Sequence, residues 1–420
     1  MRIAMVSEHA SPLAACPGHA GAGGVGSVDA GGQNIHVHAL ATALARAGHE
    51  VVVHTRRTDP FSPQRVRMGD GVVVDHVTAG PEAELGKDDL LEHMAEFAAV
   101  LRERWADERP DVVHAHFWMS GIAALEAGRA LGVPVVQTFH ALGSVKRRHQ
   151  GAEDTSPPGR VALESDLGAS VDRVVATCRD EVAELVALGV PADRVDVVPC
   201  GVDITQFTPP IGGRPPGPPR IVTVSRLVPR KGVDTAVRAL ARMRVPAELV
   251  VAGGPEAARL DDDAEVARLR ALARAEGVAD RVRFVGRVGP AGVPDLLRAA
   301  DVVTCLPTYE PFGLVPLEAM ACGKPVVAAR VGGLADTVLD GVTGLHVPPG
   351  VPGEADAALD ALLADPARAA EMGRAGRARV CADYAWDRVA AATAEVYRGV
   401  VAEASGPADT AVPAGMAVRS

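Results

Sequence analysis

The chain lacks any apolar run approaching the roughly 20 residues a membrane-spanning helix needs, which points away from an integral membrane protein. It also lacks C-x-x-C pairs. The six cysteines, Cys16, Cys178, Cys200, Cys305, Cys322 and Cys381, are scattered, which fits reduced thiols better than a disulfide framework or a zinc site. No surplus of positive charge is present: the net charge of −10 gives no electrostatic ground for a nucleic-acid partner. The opening MRIAMVSEHA reads as a strand at once, with no signal-peptide core or cleavage site, so a cytoplasmic location is expected. Lysine is scarce as well, with only Lys87, Lys146, Lys231 and Lys324 among 43 basic residues. A lysine kept in an arginine-rich chain stands out as a compact point charge for phosphate.

What is there is an alternation of strands and helices. At 420 residues, 48% apolar and 23% charged, the chain has the composition of an ordinary globular protein of two or three domains. Short runs such as RIAMVS, EVVVHT, GVVVDHV, DVVHAH, PVVQTF, RVVATC and RVDVVP alternate with Ala/Leu/Arg segments. A second series follows: RIVTVS, AELVVAG, RVRFVG, DVVTCLP, PVVAAR and GLHVP. Continuous apolar runs mark strands buried on both faces, hence parallel sheets covered by helices and an α/β class. Between the series lies TPPIGGRPPGPPR, whose prolines block both helix and central strand. The expected organisation is an N-terminal doubly wound domain over 1–208, a linker over 209–219 and a second such domain over 220–380. A C-terminal helix over 381–402 and a disordered tail over 403–420 complete it. Ligands in such sheets sit at the carboxyl ends of the strands, so the cleft shared by the two domains is the expected site.

Several motifs point into that cleft. GAGGVG, at Gly21 to Gly26, has the letters of a dinucleotide fingerprint but follows its strand too late, and arginines stand where a ribose-binding acid belongs. Gly31 and Gly32 in DAGGQNIHV precede a helix, where they either let an anion or sugar reach free N–H groups or merely make a tight turn. In SRLVPRKG, Arg226 follows a strand and Lys231 opens the next helix, an arrangement suited to phosphate, a solvated basic turn being the alternative. LDDDAEVARLR, from Leu260, holds a D-x-D that reads as a helix cap rather than a metal site. His36/His38 and His114/His116 are spaced by two, but no third ligand with suitable spacing accompanies them, so core or loop histidines are expected. His140 ends the strand PVVQTFH and is placed to orient a hydroxyl or stabilise charge.

TYEPFGLVPLEAMACGKPVV carries Glu310 and Glu318. Eight residues along one helix separate two carboxylates by about 12 Å, beyond the roughly 5–9.5 Å of glycoside-hydrolase pairs. Pro311 and Gly313 put Glu310 in a loop, and Pro316 suits the first turn of a helix carrying Glu318 near its start. Two acceptors flanking free N–H donors suit a ligand with hydroxyls at both ends and phosphates between. A solvated turn is the plain alternative.

Taken together, these motifs resemble glycosyltransferase family 4, retaining enzymes of the GT-B fold that use nucleotide sugars. The resemblance rests on Gly31-Gly32, QTFH ending in His140, SRLVPRKG, EPFGLVPLEAMACGKPVV and VGGLADTVLDGVTG, and spans about residues 1–400. It implies two doubly wound, Rossmann-like domains facing across a cleft. It places Arg226 and Lys231 on the donor diphosphate, Glu310 on the sugar hydroxyls and Glu318 on the ribose. Phe312, Gly313, Leu314 and Val315 would line sugar and phosphate, Gly31 and Gly32 would face the donor, and His140 would touch the transferred sugar. It also implies same-face attack, with the leaving phosphate taking the acceptor's proton and no cofactor or metal required; a UDP-sugar is the favoured donor. Among members, inositol-phosphate N-acetylglucosaminyltransferases and sucrose-phosphate synthases look most similar. Lys87 and Arg160 match two acceptor-phosphate ligands of the former, while Phe117 and Ala141 stand where a tyrosine and a threonine are expected. VKRRHQ, from Val145, either faces an anionic acceptor or is a solvated loop. Other readings are an aminocyclitol or natural-product glycosyltransferase, a nucleotide-sugar epimerase, or a non-catalytic sugar-nucleotide binder. A homodimer stays open.

Overall fold

The computed structural model describes residues 1–15, 32–69, 71–151, 154–212 and 217–405. Gly31, the GAGGVG stretch, Cys16 and residues 406–420 lie outside the described residues. Every strand expected from an apolar run is present. The first sheet holds β1 (Arg2–Val6), β2 (Glu50–Arg56), β3 (Arg65–Arg67), β4 (Val72–Val77), β5 (Val112–His116), β6 (Val135–Thr138), β7 (Arg173–Ala176) and β8 (Val195–Val197). Its spatial order is β3-β4-β2-β1-β5-β6-β7-β8. Among these strands only β3 runs antiparallel to its neighbour. That edge strand was not foreseen, because three residues reading Arg-Val-Arg carry no periodic signal; its charges blunt an otherwise open edge.

The second sheet holds β9 (Arg220–Val224), β10 (Glu248–Ala252), β11 (Val282–Gly286), β12 (Val302–Cys305), β13 (Val326–Ala329) and β14 (Gly344–Val347). All its pairs are parallel, in the order β11-β10-β9-β12-β13-β14. In both sheets the winding reverses beside the first strand, between β1 and β5 and between β9 and β12. Helices that leave neighbouring strands in opposite directions open a crevice there, at the carboxyl ends.

Each sheet is buried on both faces. Phe97, Leu101, Trp105, Ala123 and Phe139 pack on one face of the first sheet, and Val37, Leu40, Ala41 and Leu44 on the other. The latter face is shared with the last helix, Trp386–Ser405, through Val389, Ala390, Ala394, Tyr397 and Val400. Their spacing puts them on one stripe of that helix, and each fully buried large side chain contributes about 1.5–3 kcal/mol. The chain therefore crosses from the second sheet back to the first near its end. The last helix runs to Ser405, three residues into the segment expected to be disordered, and Glu403 pairs there with Arg173 at 2.6 Å. Among the described residues the cysteines are free thiols, and no helix is long and apolar enough to cross a membrane.

Candidate active site

On the second-sheet side the site is assembled by short backbone connections. Arg226 lies two residues past β9, and a 3-10 turn, Pro229–Lys231, leads into the helix Val233–Arg242. Gly232 joins turn and helix with φ +68°, and a Cβ there would run into the carbonyl of Leu306 just beyond β12. Only glycine allows that approach, and it pins Lys231 at the switch point. The Lys231 ammonium is paired with the Glu310 carboxylate.

Glu310 sits in a loop, as expected, and the loop is braced from two directions. Thr308 N–H donates to Arg230 O at 2.8 Å, and Gly333 N–H donates to Glu310 O at 3.1 Å and to Pro311 O at 3.2 Å. Gly313, at φ +84°, turns the chain into the helix Leu314–Ala321. That helix starts two residues before Pro316, so Glu318 lies in its second turn rather than at its first residues. Burial pushes the Glu318 carboxyl up to about 7. Cys305, at the end of β12, is partly buried beside Glu310, Lys231 and Glu318. The D-x-D is a cap: Asp263 accepts from Val266 N–H at 2.9 Å.

Across the cleft, the helix Gly32–Arg46 points its first turn at the same space. A Cβ on Gly32 would lie 3.4 Å from Leu314 Cδ1, so the amino ends of two helices face each other. Two positive dipole ends converge there, which favours an anionic ligand.

His140 follows β6 at φ +61°, one of two non-glycine residues with positive φ among the described residues; the other is Phe117, at φ +82°, following β5. Such backbone costs of order 1–3 kcal/mol and concentrates at functional sites. His140 Nε2 is 3.0 Å from His116 Nδ1, and His36 stacks edge-on against His140 with ring centroids 5.0 Å apart. Ring nitrogens of His36, His116 and His140 lie within 4.8 Å of one another. The third ligand missing from the sequence spacing is therefore supplied by tertiary folding. Burial holds His36 down to about 4 and His116 and His140 well below their ordinary value, with mutual repulsion adding for the latter two. The cluster is neutral near pH 7. His114 is a core residue, as expected, bonded to Tyr397 Oη at 2.6 Å and Thr138 Oγ1 at 2.9 Å. His38 is a half-buried helix residue 3.3 Å from Pro12 O.

Beside this cluster, Phe117 carries the Lys87 ammonium 3.8 Å above its ring and the Arg160 guanidinium 5.1 Å away. Arg160 donates to Ala141 O at 2.6 Å and pairs with Glu164 at 2.7 Å. Desolvation of its ammonium, with the Arg160 and Lys146 charges, holds Lys87 down to about 8 against the opposing pull of Glu8, although the residue as a whole is exposed. The basic VKRRHQ run divides: Lys146 turns inward to Asp154 at 3.0 Å and Ser156 Oγ at 2.9 Å, while Arg148 pairs with Glu184 on the surface. Lys87, Phe117 and Arg160 are thus together. Glu8 and His9 join them from the turn after β1, a pair the sequence reading missed. Their only signal was position, directly past the first strand of a doubly wound sheet.

Three contacts tie the Glu310 loop and its surroundings to the first domain. Tyr309 stacks on His149 with centroids 4.6 Å apart, Cys178 Sγ–H donates to Pro311 O at 3.3 Å, and Arg179 N–H donates to Asp336 at 2.7 Å.

Comparison with known proteins agrees with this architecture. The profile described as "Glycosyltransferase Family 4" matches residues 30–206, and that described as "Glycosyl transferases group 1" matches residues 205–379. D-inositol 3-phosphate glycosyltransferase 2 of Catenulispora acidiphila is 39% identical, covering 94% of each chain. D-inositol 3-phosphate glycosyltransferase of Acidothermus cellulolyticus is 40% identical, covering 96% of this chain and 91% of that one. The solved sucrose-phosphate synthase of Thermosynechococcus elongatus superposes with a TM-score of 0.83 at 33% identity, covering 96% of this chain and 99% of the other. Two doubly wound domains facing across a cleft, with these relatives over nearly the whole length, establish that the chain belongs to glycosyltransferase family 4 and has the GT-B fold.

Proposed function

We propose that this glycosyltransferase is a retaining enzyme that moves a hexosyl or N-acetylhexosaminyl group from a nucleotide sugar, a UDP-sugar by resemblance, to a small hydroxylated acceptor, with or without a phosphate of its own. The observation that carries the reading is the Lys231–Glu310 pair set where the amino ends of two helices face each other. A donor's diphosphate takes Lys231 and Arg226 together with the N–H groups of the Leu314 helix. Glu310, released from Lys231, accepts hydrogen bonds from sugar hydroxyls, while Glu318 takes the ribose. Gly32, Phe312, Gly313, Leu314 and Val315 line the donor, and His140, neutral, contacts the transferred sugar.

The chemistry follows from that placement. The bond from the anomeric carbon to the leaving phosphate oxygen breaks, and the acceptor oxygen bonds to the same face of that carbon. The acceptor's proton passes to the leaving phosphate. Lys231 and Arg226 stabilise the charge that grows on the diphosphate, which is where electrostatic catalysis acts most strongly. No step needs a metal. The test is a thermal-shift series with UDP-, GDP- and ADP-sugars, since a ligand that binds only the folded state raises the melting temperature. One base is expected to stand out; no shift with any of them would sink the reading. Binding without transfer over a broad acceptor panel would favour a non-catalytic binder, and a changed sugar without an acceptor would favour an epimerase.

A further inference from the structure

Three histidines meet at the carboxyl ends of the first sheet, each carried by a different element. His36 comes from the helix Gly32–Arg46, His116 ends β5, and His140 follows β6 at φ +61°. Parallel pairing of β5 with β6 sets His116 opposite Thr138, two residues before His140. Trp386, which opens the last helix, packs edge-on against the His36 ring with centroids 5.4 Å apart. One ring nitrogen of each histidine lies within 4.8 Å of the other two, and His116 Nδ1 is 3.0 Å from His140 Nε2. Three nitrogens held at about 2.0–2.1 Å by one tetrahedral Zn²⁺ stand roughly 3.3 Å apart, so the rings need close by no more than about 1.5 Å.

The neighbouring histidines are committed elsewhere. Both ring nitrogens of His114 are bonded, to Tyr397 and Thr138, and His9 Nδ1 is bonded to Glu8. Within the trio, by contrast, His36 Nδ1 and His116 Nε2 are buried without a hydrogen-bond partner. Buried polar atoms are nearly always partnered, so two orphans in one cluster point to an occupant. The donor set is imidazole alone, which suits Zn²⁺, Co²⁺ or Ni²⁺ and not the oxygen-seeking Mg²⁺ or Ca²⁺. Three protein ligands leave a fourth position open. The positive end of the Gly32–Arg46 helix opposes a cation there, and it favours an anion in that fourth position. His140 is only partly buried, which connects the cluster to the cleft.

We propose that His36, His116 and His140 form a site for a borderline divalent cation of the Zn²⁺ type, and that its occupation inhibits transfer. The inhibition rests on the glycosyltransferase reading and on the place of His140 in it. A ring nitrogen bound to a cation is lost as a hydrogen-bond partner for the transferred sugar. Cation and sugar therefore compete for one imidazole. The metal-free protein is the active form, in keeping with a reaction in which no step needs a metal.

The experiment uses Co²⁺ as a probe, because tetrahedral Co²⁺ absorbs visible light far more strongly than the hydrated ion. Full-length protein dialysed against EDTA is titrated with CoCl₂, then with ZnCl₂. One equivalent of Co²⁺ is expected to bind with the tetrahedral spectrum and to be displaced by Zn²⁺. Turnover of the nucleotide sugar is expected to fall tenfold or more at one equivalent of Zn²⁺ and to recover with EDTA. His36→Gln and His36→Phe are each expected to weaken Co²⁺ binding tenfold or more and to remove the Zn²⁺ sensitivity, each variant being compared with its own metal-free turnover. A spectrum of hydrated Co²⁺ alone in the unaltered protein overturns the proposal, and that result needs no variant to fold. So does Co²⁺ binding unchanged in both His36 variants, which would put the cation on other histidines. Full turnover with Zn²⁺ bound, or turnover that requires Zn²⁺, overturns the inhibition. Failure of the glycosyltransferase reading shows separately, as no thermal shift with any nucleotide sugar, while the Co²⁺ spectrum still reports on the site.

Discussion

The two walls of the cleft are built on different principles. On the second-sheet side, Arg226, Lys231, Glu310 and Glu318 are charged or chargeable groups held by nearby backbone: a glycine at positive φ, a short turn, a loop braced by Gly333. On the first-sheet side, His36, His116 and His140 form a neutral cluster, and two of the cations beside it, Arg160 and Lys146, are paired with Glu164 and Asp154. A charged wall grips a polyanion, and a neutral or balanced one suits hydroxyls. The proposed placement of donor and acceptor on opposite sides rests on that difference.

The most severe way to break that division is to remove the charge on the donor side. Lys231→Ala is expected to lower kcat by about 10²- to 10³-fold, the range for losing one preorganised electrostatic group, with Tm measured alongside. Unchanged turnover would remove Lys231 from the mechanism and with it the contrast between the walls.

A smaller effect sharpens the role of Glu318. Its carboxyl is pushed up to about 7, so it is mostly protonated at pH 6 and mostly ionised at pH 8. In the proposed donor complex, accepting two ribose hydroxyls with both carboxyl oxygens favours the ionised form. The donor KM is therefore expected to fall about tenfold as pH rises from 6 to 8, following the carboxylate fraction. Glu318→Gln is expected to flatten that dependence, and a slope retained in the variant would assign it to another group.

The smallest expected effect concerns the other wall. His36, His116 and His140 have the nitrogens a borderline divalent cation takes, yet the donor reading uses none. Dialysis against EDTA is expected to leave kcat unchanged, and transfer activity restored only by Zn²⁺ would turn the neutral wall into a metal site and reverse the contrast.

Legibility followed the same line between the walls. Every long strand was visible, because Val-rich runs such as VVV in β2 and β4 can only be buried on both faces. SRLVPRKG and EPFGLVPLEAM could be read because each residue proposed for the donor lies within a few positions of the glycine or proline that orients it. Glu8 and His9 could not, since nothing in SEHASP marks them apart from a turn after β1. His36 was equally hidden: its spacing from His38 directs attention to a pair that the helix pulls apart, with one member buried and the other facing Pro12.

By itself, then, the sequence determined the two doubly wound sheets and the charged Lys231 and Glu310 motifs, because hydrophobic periodicity and short-range backbone chemistry are local properties, and the motifs together carried the resemblance to the family. Tertiary structure alone decided which groups meet on the other wall. Glu8 reaches Ser120, Arg160 settles over Phe117, and His36 meets His116 and His140 only when strands far apart in the chain become neighbours. Charge balance in a buried wall depends on those distances, which no spacing along the chain encodes.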